Sequence, residues 1–117
     1  MKTKIIILAL VALFSFSINA QTKQKAPLKF NIEKTLANIE KISSQDLIVQ
    51  LKGNIIEEID ATHYWFKDET GRIKITVDSD QLNEVGEYNE NTIFYIFGNI
   101  ESIRDETFKV SDIKKAE

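Results

Sequence analysis

With 117 residues, 18 acidic against 15 basic side chains and no cysteine, the chain is sized for one small domain with one core. Its charge opposes a nucleic-acid binder, which works by neutralising phosphates. The lack of thiols leaves neither disulfides nor thiolate metal sites to stabilise it, so packing must do so.

Lys2 and Lys4 precede an apolar run from Ile5 to Phe14, and Ser15, Phe16, Ser17, Ile18, Asn19 and Ala20 follow. That is the basic start, hydrophobic middle and small-residue exit of a secretory signal over residues 1–20, with cleavage expected after Ala20. The run falls short of the about 20 apolar residues that span a bilayer and no second one follows, so no membrane insertion is expected. No cysteine stands at the expected new N-terminus to carry a lipid, and the location implied is the periplasm. Loss of Lys2 and Lys4 leaves 13 of the 15 basic residues against 18 acidic ones, a net charge of −5.

Residues 21–30 are polar, carry the only proline, Pro27, and read as a flexible lead to a domain over 31–117. Asn31 stands where a helix cap would, Glu33 falls in the first turn, and Ile32, Leu36, Ala37 and Ile39 have helical spacing. The pattern predicts a helix ending near Ser43. Residues 46–59, DLIVQLKGNIIEEI, form a long β-rich run that Gly53 allows to bend.

The stretch from His63 to Asp78, HYWFKDETGRIKITVD, reads as a hairpin. Tyr64 and Phe66 point to one side, with Ile73, Ile75 and Val77; His63, Trp65, Lys67, Arg72, Lys74 and Thr76 point to the other. Asp68-Glu69-Thr70-Gly71 turns the chain, with Gly71 expected at positive φ. Two further strands follow, TIFYIFGNIES with Gly98 inside it, and ETFKVSDI, whose Phe108, Val110 and Ile113 look inward. Five strands, two bent at glycine, with no helical run long enough for a βαβ unit, predict an all-β fold with one N-terminal helix: a small, closed five-stranded barrel.

Val49, Leu51 and Gly53; Tyr64, Phe66, Asp68, Gly71 and Ile73; Val77 and Asp78; and Phe94, Ile96, Gly98 and Ile100 together form an ordered series. In it the chain resembles the bacterial OB-fold (BOF) family of YgiW/YdeI-type periplasmic stress-tolerance proteins, over roughly residues 30–115. The resemblance implies a five-stranded OB-fold barrel preceded by a helix, a signal peptide and no established catalytic activity. It also implies a role in tolerance of oxidative, acid, metal or antimicrobial-peptide stress, in some members through envelope partners such as outer-membrane porins. The chain departs from the family pattern in having Leu82 where a Trp is usual, Asn99-Ile100-Glu101-Ser102-Ile103-Arg104-Asp105 where an acidic stretch is common, and Lys109 where an Asp is frequent. These departures weaken a cation site built from the family's acidic groups.

Trp65, with Arg72 and Lys74 beside it, has two readings. One is a ligand- or partner-binding patch on the outer face of the second and third strands, the usual OB recognition surface. The other is an isolated surface aromatic stabilising a cross-strand pair, which needs no functional explanation and is preferred. Tyr95 and Phe97 face outward if Phe94 and Ile96 face in, and the apolar stripe of the leading helix, Leu36 and Ile39, is expected to cover them.

Asp78, Asp80, Glu84 and Glu87 read as a solvated acidic loop. Asp78-Ser79-Asp80 begins like a calcium loop but lacks its later glycine and closing Glu. His63 is the only histidine and supplies neither a tetrahedral metal site nor a triad. With no nucleophile–base motif or phosphate cradle, no catalytic residue, metal or cofactor is assigned. The expected function is a non-enzymatic periplasmic protein that binds a small ligand, a peptide or an envelope protein such as an outer-membrane porin, without nucleic acid. The alternatives are a nucleic-acid-binding OB domain and a cation-binding protein using Asp78–Glu87.

Overall fold

The structure, a computed structural model, describes residues 26–116; the expected signal segment 1–20, its cleavage point and residues 21–25 of the expected lead lie outside them. In chain order the elements are β1 (Leu28–Lys29), α1 (Ile32–Ala37), α2 (Ile39–Ser44), β2 (Val49–Glu58), β3 (His63–Asp68), β4 (Gly71–Thr76), α3 (Ser79–Val85), β5 (Phe94–Ser102) and β6 (Thr107–Lys115). β2 pairs antiparallel with β3 and with β5, β3 antiparallel with β4, β4 parallel with β6, and β6 antiparallel with β5. The order β2-β3-β4-β6-β5 therefore closes on β2, giving the expected five-stranded barrel.

Closure depends on one long strand serving two neighbours. Val49 to Gly53 of β2 pair with β5, and Asn54 to Glu58 pair with β3. Gly53 sits at the changeover, where a Cβ would run into the carbonyl oxygen of Lys67 on β3. Only glycine lets the backbones come so close. Gly98 plays the same part in β5, against the carbonyl of Lys109, beside a register shift that pairs Phe97 with Asp112 but Gly98 with Val110. The residue skipped there, Ser111, is the extra one of a bulge. It explains why the inward residues of β6 run Phe108, Val110, then Ile113.

Alternation fills the barrel as expected. Phe66, Ile73, Ile75, Phe94, Ile96 and Phe108 are fully buried, and Tyr64, Val77, Val110 and Ile113 are buried with them. Each fully buried side chain of this kind stabilises the fold by about 1.5–3 kcal/mol relative to exposure.

The N-terminal region differs from its expected form in two respects. The lead ends in a strand: Leu28 N–H donates to the carbonyl of Ile48 at 2.9 Å and Phe30 N–H to that of Gln50 at 3.2 Å. This segment of β2 lies before its pairing with β3 begins, so β1 satisfies an open edge while Leu28 and Phe30 pack against the core. The expected single helix is also split at Asn38, the C-cap of α1 and the N-cap of α2. The Asn38 side-chain amide donates to the carbonyl of Lys34 at 2.8 Å, a local bond that competes with helix continuation. Asn31 does cap α1, its side-chain oxygen accepting the N–H of Lys34 at 2.7 Å. Ile32 and Ile42 are buried in the barrel core, α1 packing on β4 and α2 on β5.

Two further expectations are corrected. Gly71 does not have positive φ, since the one glycine that does is Gly86 among the described residues. The turn is held by the Asp68 carboxylate instead, whose Oδ1 accepts the N–H groups of Thr70 at 2.7 Å and Gly71 at 3.2 Å and the Thr70 hydroxyl at 2.6 Å. The acidic segment after β4 is not a loop but begins as α3: Gln81 Oε1 accepts the N–H of Asp78 at 2.9 Å, and Leu82 is buried. That arrangement is half of a capping box, and Leu82 gives the helix an apolar anchor facing β6.

Candidate functional site

The β3–β4 ladder sets Trp65 opposite Lys74 and Lys67 opposite Arg72. Their neighbours Tyr64, Phe66, Ile73 and Ile75 occupy the core, so these four project from the barrel's outer surface. The Arg72 guanidinium carbon lies over the Trp65 ring, 4.4 Å from its centroid, in a cation–π contact. Trp65 and Lys74 are half-buried and Arg72 and Lys67 exposed. The three residues singled out in the sequence are thus one patch, with Lys67 as a fourth member that strand alternation alone already placed on the same side. A flat ring beside a guanidinium and two ammonium groups fits an anionic or aromatic group. Arg72 covers part of the ring, so a ligand must share or displace that contact.

His63 stands on the same strand as this patch. Its Nδ1 lies 2.8 Å and 3.0 Å from the two carboxylate oxygens of Asp60, which also accepts the N–H groups of Thr62 at 3.0 Å and His63 at 2.9 Å. The Thr62 N–H first, and the His63 ring second, hold the exposed Asp60 carboxyl below the usual carboxylate range. The Thr62 hydroxyl is 3.3 Å from the same Nδ1. A relay needs acid and nucleophile on different ring nitrogens, so this trio locks a turn and does not form a triad.

A second aromatic surface was not assigned as a site from the sequence. Tyr95 and Phe97 lie half-buried on β5, with Lys52 Nζ 5.8 Å from the Tyr95 centroid and Lys114 Nζ 5.4 Å from that of Phe97. Leu36 and Ile39, expected to cover these rings, pack against the core cluster, beside Ile32 and Ile42 of the same two helices, which are buried in it. No local signal could have found these lysines, which reach the rings only through the pairing of β5 with β2 and β6.

Asp80, Glu84 and Glu87 are exposed on or just after α3. Among the described residues no three His, Cys, Asp or Glu side chains come together as a metal-holding group. Two clefts, of about 450 and 390 Å³, lie beside α3 and the segment that follows it, and share Tyr64 and Tyr88 as lining residues.

The family described as Bacterial OB fold (BOF) protein matches residues 18–115. Comparison with curated proteins gives no match. Among solved structures, the hypothetical protein ygiW from E. coli is similar at 24% identity and a TM-score of 0.58, over 80% of this chain and 92% of that one. A structure of yeast Stn1 and Ten1 is similar at 12% identity and a TM-score of 0.59, over 79% of this chain and 64% of that one. The telomere capping protein Ten1 from Saccharomyces pombe is similar at 14% identity and a TM-score of 0.55, over 78% of this chain and 82% of that one. At these identities the structural likeness shows a shared fold.

Proposed function

The chain belongs to the bacterial OB fold (BOF) protein family, and we propose that it is a non-enzymatic periplasmic binding protein contributing to stress tolerance. In this reading it engages a small ligand, a peptide or an envelope protein such as an outer-membrane porin through the outer face of β3 and β4. The observation that carries the reading is the single patch formed by Trp65, Arg72 and Lys74 on the surface that OB barrels use for recognition. The basic, apolar and small-residue series of residues 1–20 supports the periplasmic location. The lack of a relay at His63 supports a binding role over catalysis.

A nucleic-acid role draws support only from the fold shared with the Stn1 and Ten1 structures. The net charge, −3 for the full chain and −5 without Lys2 and Lys4, argues against it.

Affinity capture from envelope extract under peroxide stress tests the proposal. The protein beginning at Gln21 is the bait, beside a W65A/R72A/K74A variant. A porin or other envelope protein held by the first and lost with the second is the expected result. A partner whose contacts map wholly to α3 overturns the choice of face, and an N-terminal sequence starting at Met1 in the cytosol overturns the location.

A further inference from the structure

We infer that the end of the barrel between β2, β3 and residues 86–90 is a second binding site, for an organic cation: an ammonium or guanidinium group on an aliphatic stem. This site is made of other residues than the Trp65 patch and stands or falls independently of it.

The site begins with a bulge. β2 and β3 pair Ile55 with Phe66, but the next pairs are Glu57 with Trp65 and Glu58 with Tyr64, so β2 carries one extra residue. Directly opposed residues of an antiparallel pair share a face. Tyr64 faces the barrel interior, and the bulge therefore sets the Glu58 carboxylate beside it. Bulges commonly re-aim a side chain in this way at sites of function.

Tyr64 is only 8% exposed. It lines both clefts, and its hydroxyl has no hydrogen-bond partner among the described residues. As a lining residue of both clefts, Tyr64 offers there a phenol that can accept and donate a hydrogen bond. Tyr88 lines both clefts as well, and its ring is fixed edge-on against Phe94, with centroids 5.4 Å apart. Burial first, and the charge of Glu58 second, raise the pKa of Tyr64 and of Tyr88, so the carboxylate's field reaches both phenols.

The remaining walls select the ligand. Ile55, Ile56 and Leu82 are apolar, while Glu57, Glu87 and Glu90 add negative charge at the rim. Among the described residues no Lys or Arg pairs with any of these carboxylates or with Glu58. Lys115 approaches, but its Nζ donates to the backbone carbonyl of Glu87 at 2.5 Å. A calcium ion requires six to eight oxygen ligands, which a carboxylate among phenols and aliphatic walls does not provide. An ammonium or guanidinium head needs one carboxylate, hydroxyl acceptors and aromatic faces, and its stem needs apolar contact.

Spermidine and the peptide Gly-Arg-Gly, titrated separately into 15N-labelled protein beginning at Gln21, test the inference. Saturable shifts confined to residues 55–58, 64 and 79–90 are expected for at least one probe. Spermidine alone would identify a free amine, the peptide alone a polypeptide side chain, and both the charged group itself. E58Q should weaken the binding about tenfold, the worth of a charge-assisted hydrogen bond. Y88F keeps the ring against Phe94 and should weaken it less. Shifts spread over all acidic surfaces, no saturation with either probe, or undiminished binding in E58Q would overturn the inference.

Discussion

The Asp68 carboxylate on the β3–β4 hairpin accepts the backbone N–H of Ile32, at 2.9 Å, across 36 residues of sequence. With its other oxygen it holds the hairpin turn, and the Thr70 hydroxyl accepts the N–H of Glu33 at 3.0 Å. One turn thus satisfies two of the donors left open at the start of α1, while Asn31 satisfies a third. The helix is held on the barrel by this polar clasp as well as by Ile32.

Asp68→Ala should therefore destabilise the domain by about 1–3 kcal/mol, more than an ordinary turn substitution, because it opens a turn and a cap together. Urea unfolding measures this. A loss within about 0.5 kcal/mol would show that the clasp contributes nothing beyond a surface contact.

Phe66→Ala should cost about 3–5 kcal/mol, since the ring is fully buried. Trp65→Ala, on the half-exposed outer face beneath Arg72, should cost clearly less. Equal losses in denaturant titration would contradict the assignment of the two faces of β3.

Stability should fall in alkali. The folded state holds the phenol protons of Tyr64 and Tyr88 more tightly than the ordinary value of 10.0, chiefly through burial. Their contribution is therefore complete below that value and is lost as pH rises through the higher folded values. Urea unfolding between pH 9 and 11, about the phenol range, should show a shallower decline in a Tyr64→Phe, Tyr88→Phe double variant. An unchanged slope would mean that other groups govern the alkaline limit.

An oligo-dT strand should show no measurable binding at physiological salt by fluorescence anisotropy. Tyr64 and Phe66 are committed to the core, which leaves Trp65 as the hairpin ring available for stacking. Trp65 and the half-buried Tyr95 and Phe97 on β5 would each supply roughly 1–3 kcal/mol, too little on an acidic protein without a basic groove that tracks the backbone. Tight binding that weakens with salt would overturn the proposed function.

The alternation from Tyr64 to Val77 was enough to place Phe66 and Ile75 inside and Trp65, Arg72 and Lys74 outside, because successive side chains of any strand take opposite faces. The ordered glycines and apolar pairs were enough for the family. Cap chemistry is local, and Asn31 was legible for that reason. Only the tertiary structure decided what depends on distant neighbours. β1 forms because β2 leaves an edge open there. The Asp68 carboxylate that holds the turn at Gly71 also reaches the N–H of Ile32, 36 residues away, which no local pattern announces. Tyr95 meets Lys52, and Tyr64 meets Glu58, only once the barrel closes and the bulge sets the register. Local periodicity specifies which way a side chain points; what it meets is set by strand pairing, which non-local hydrogen bonds and the packing of the whole core determine.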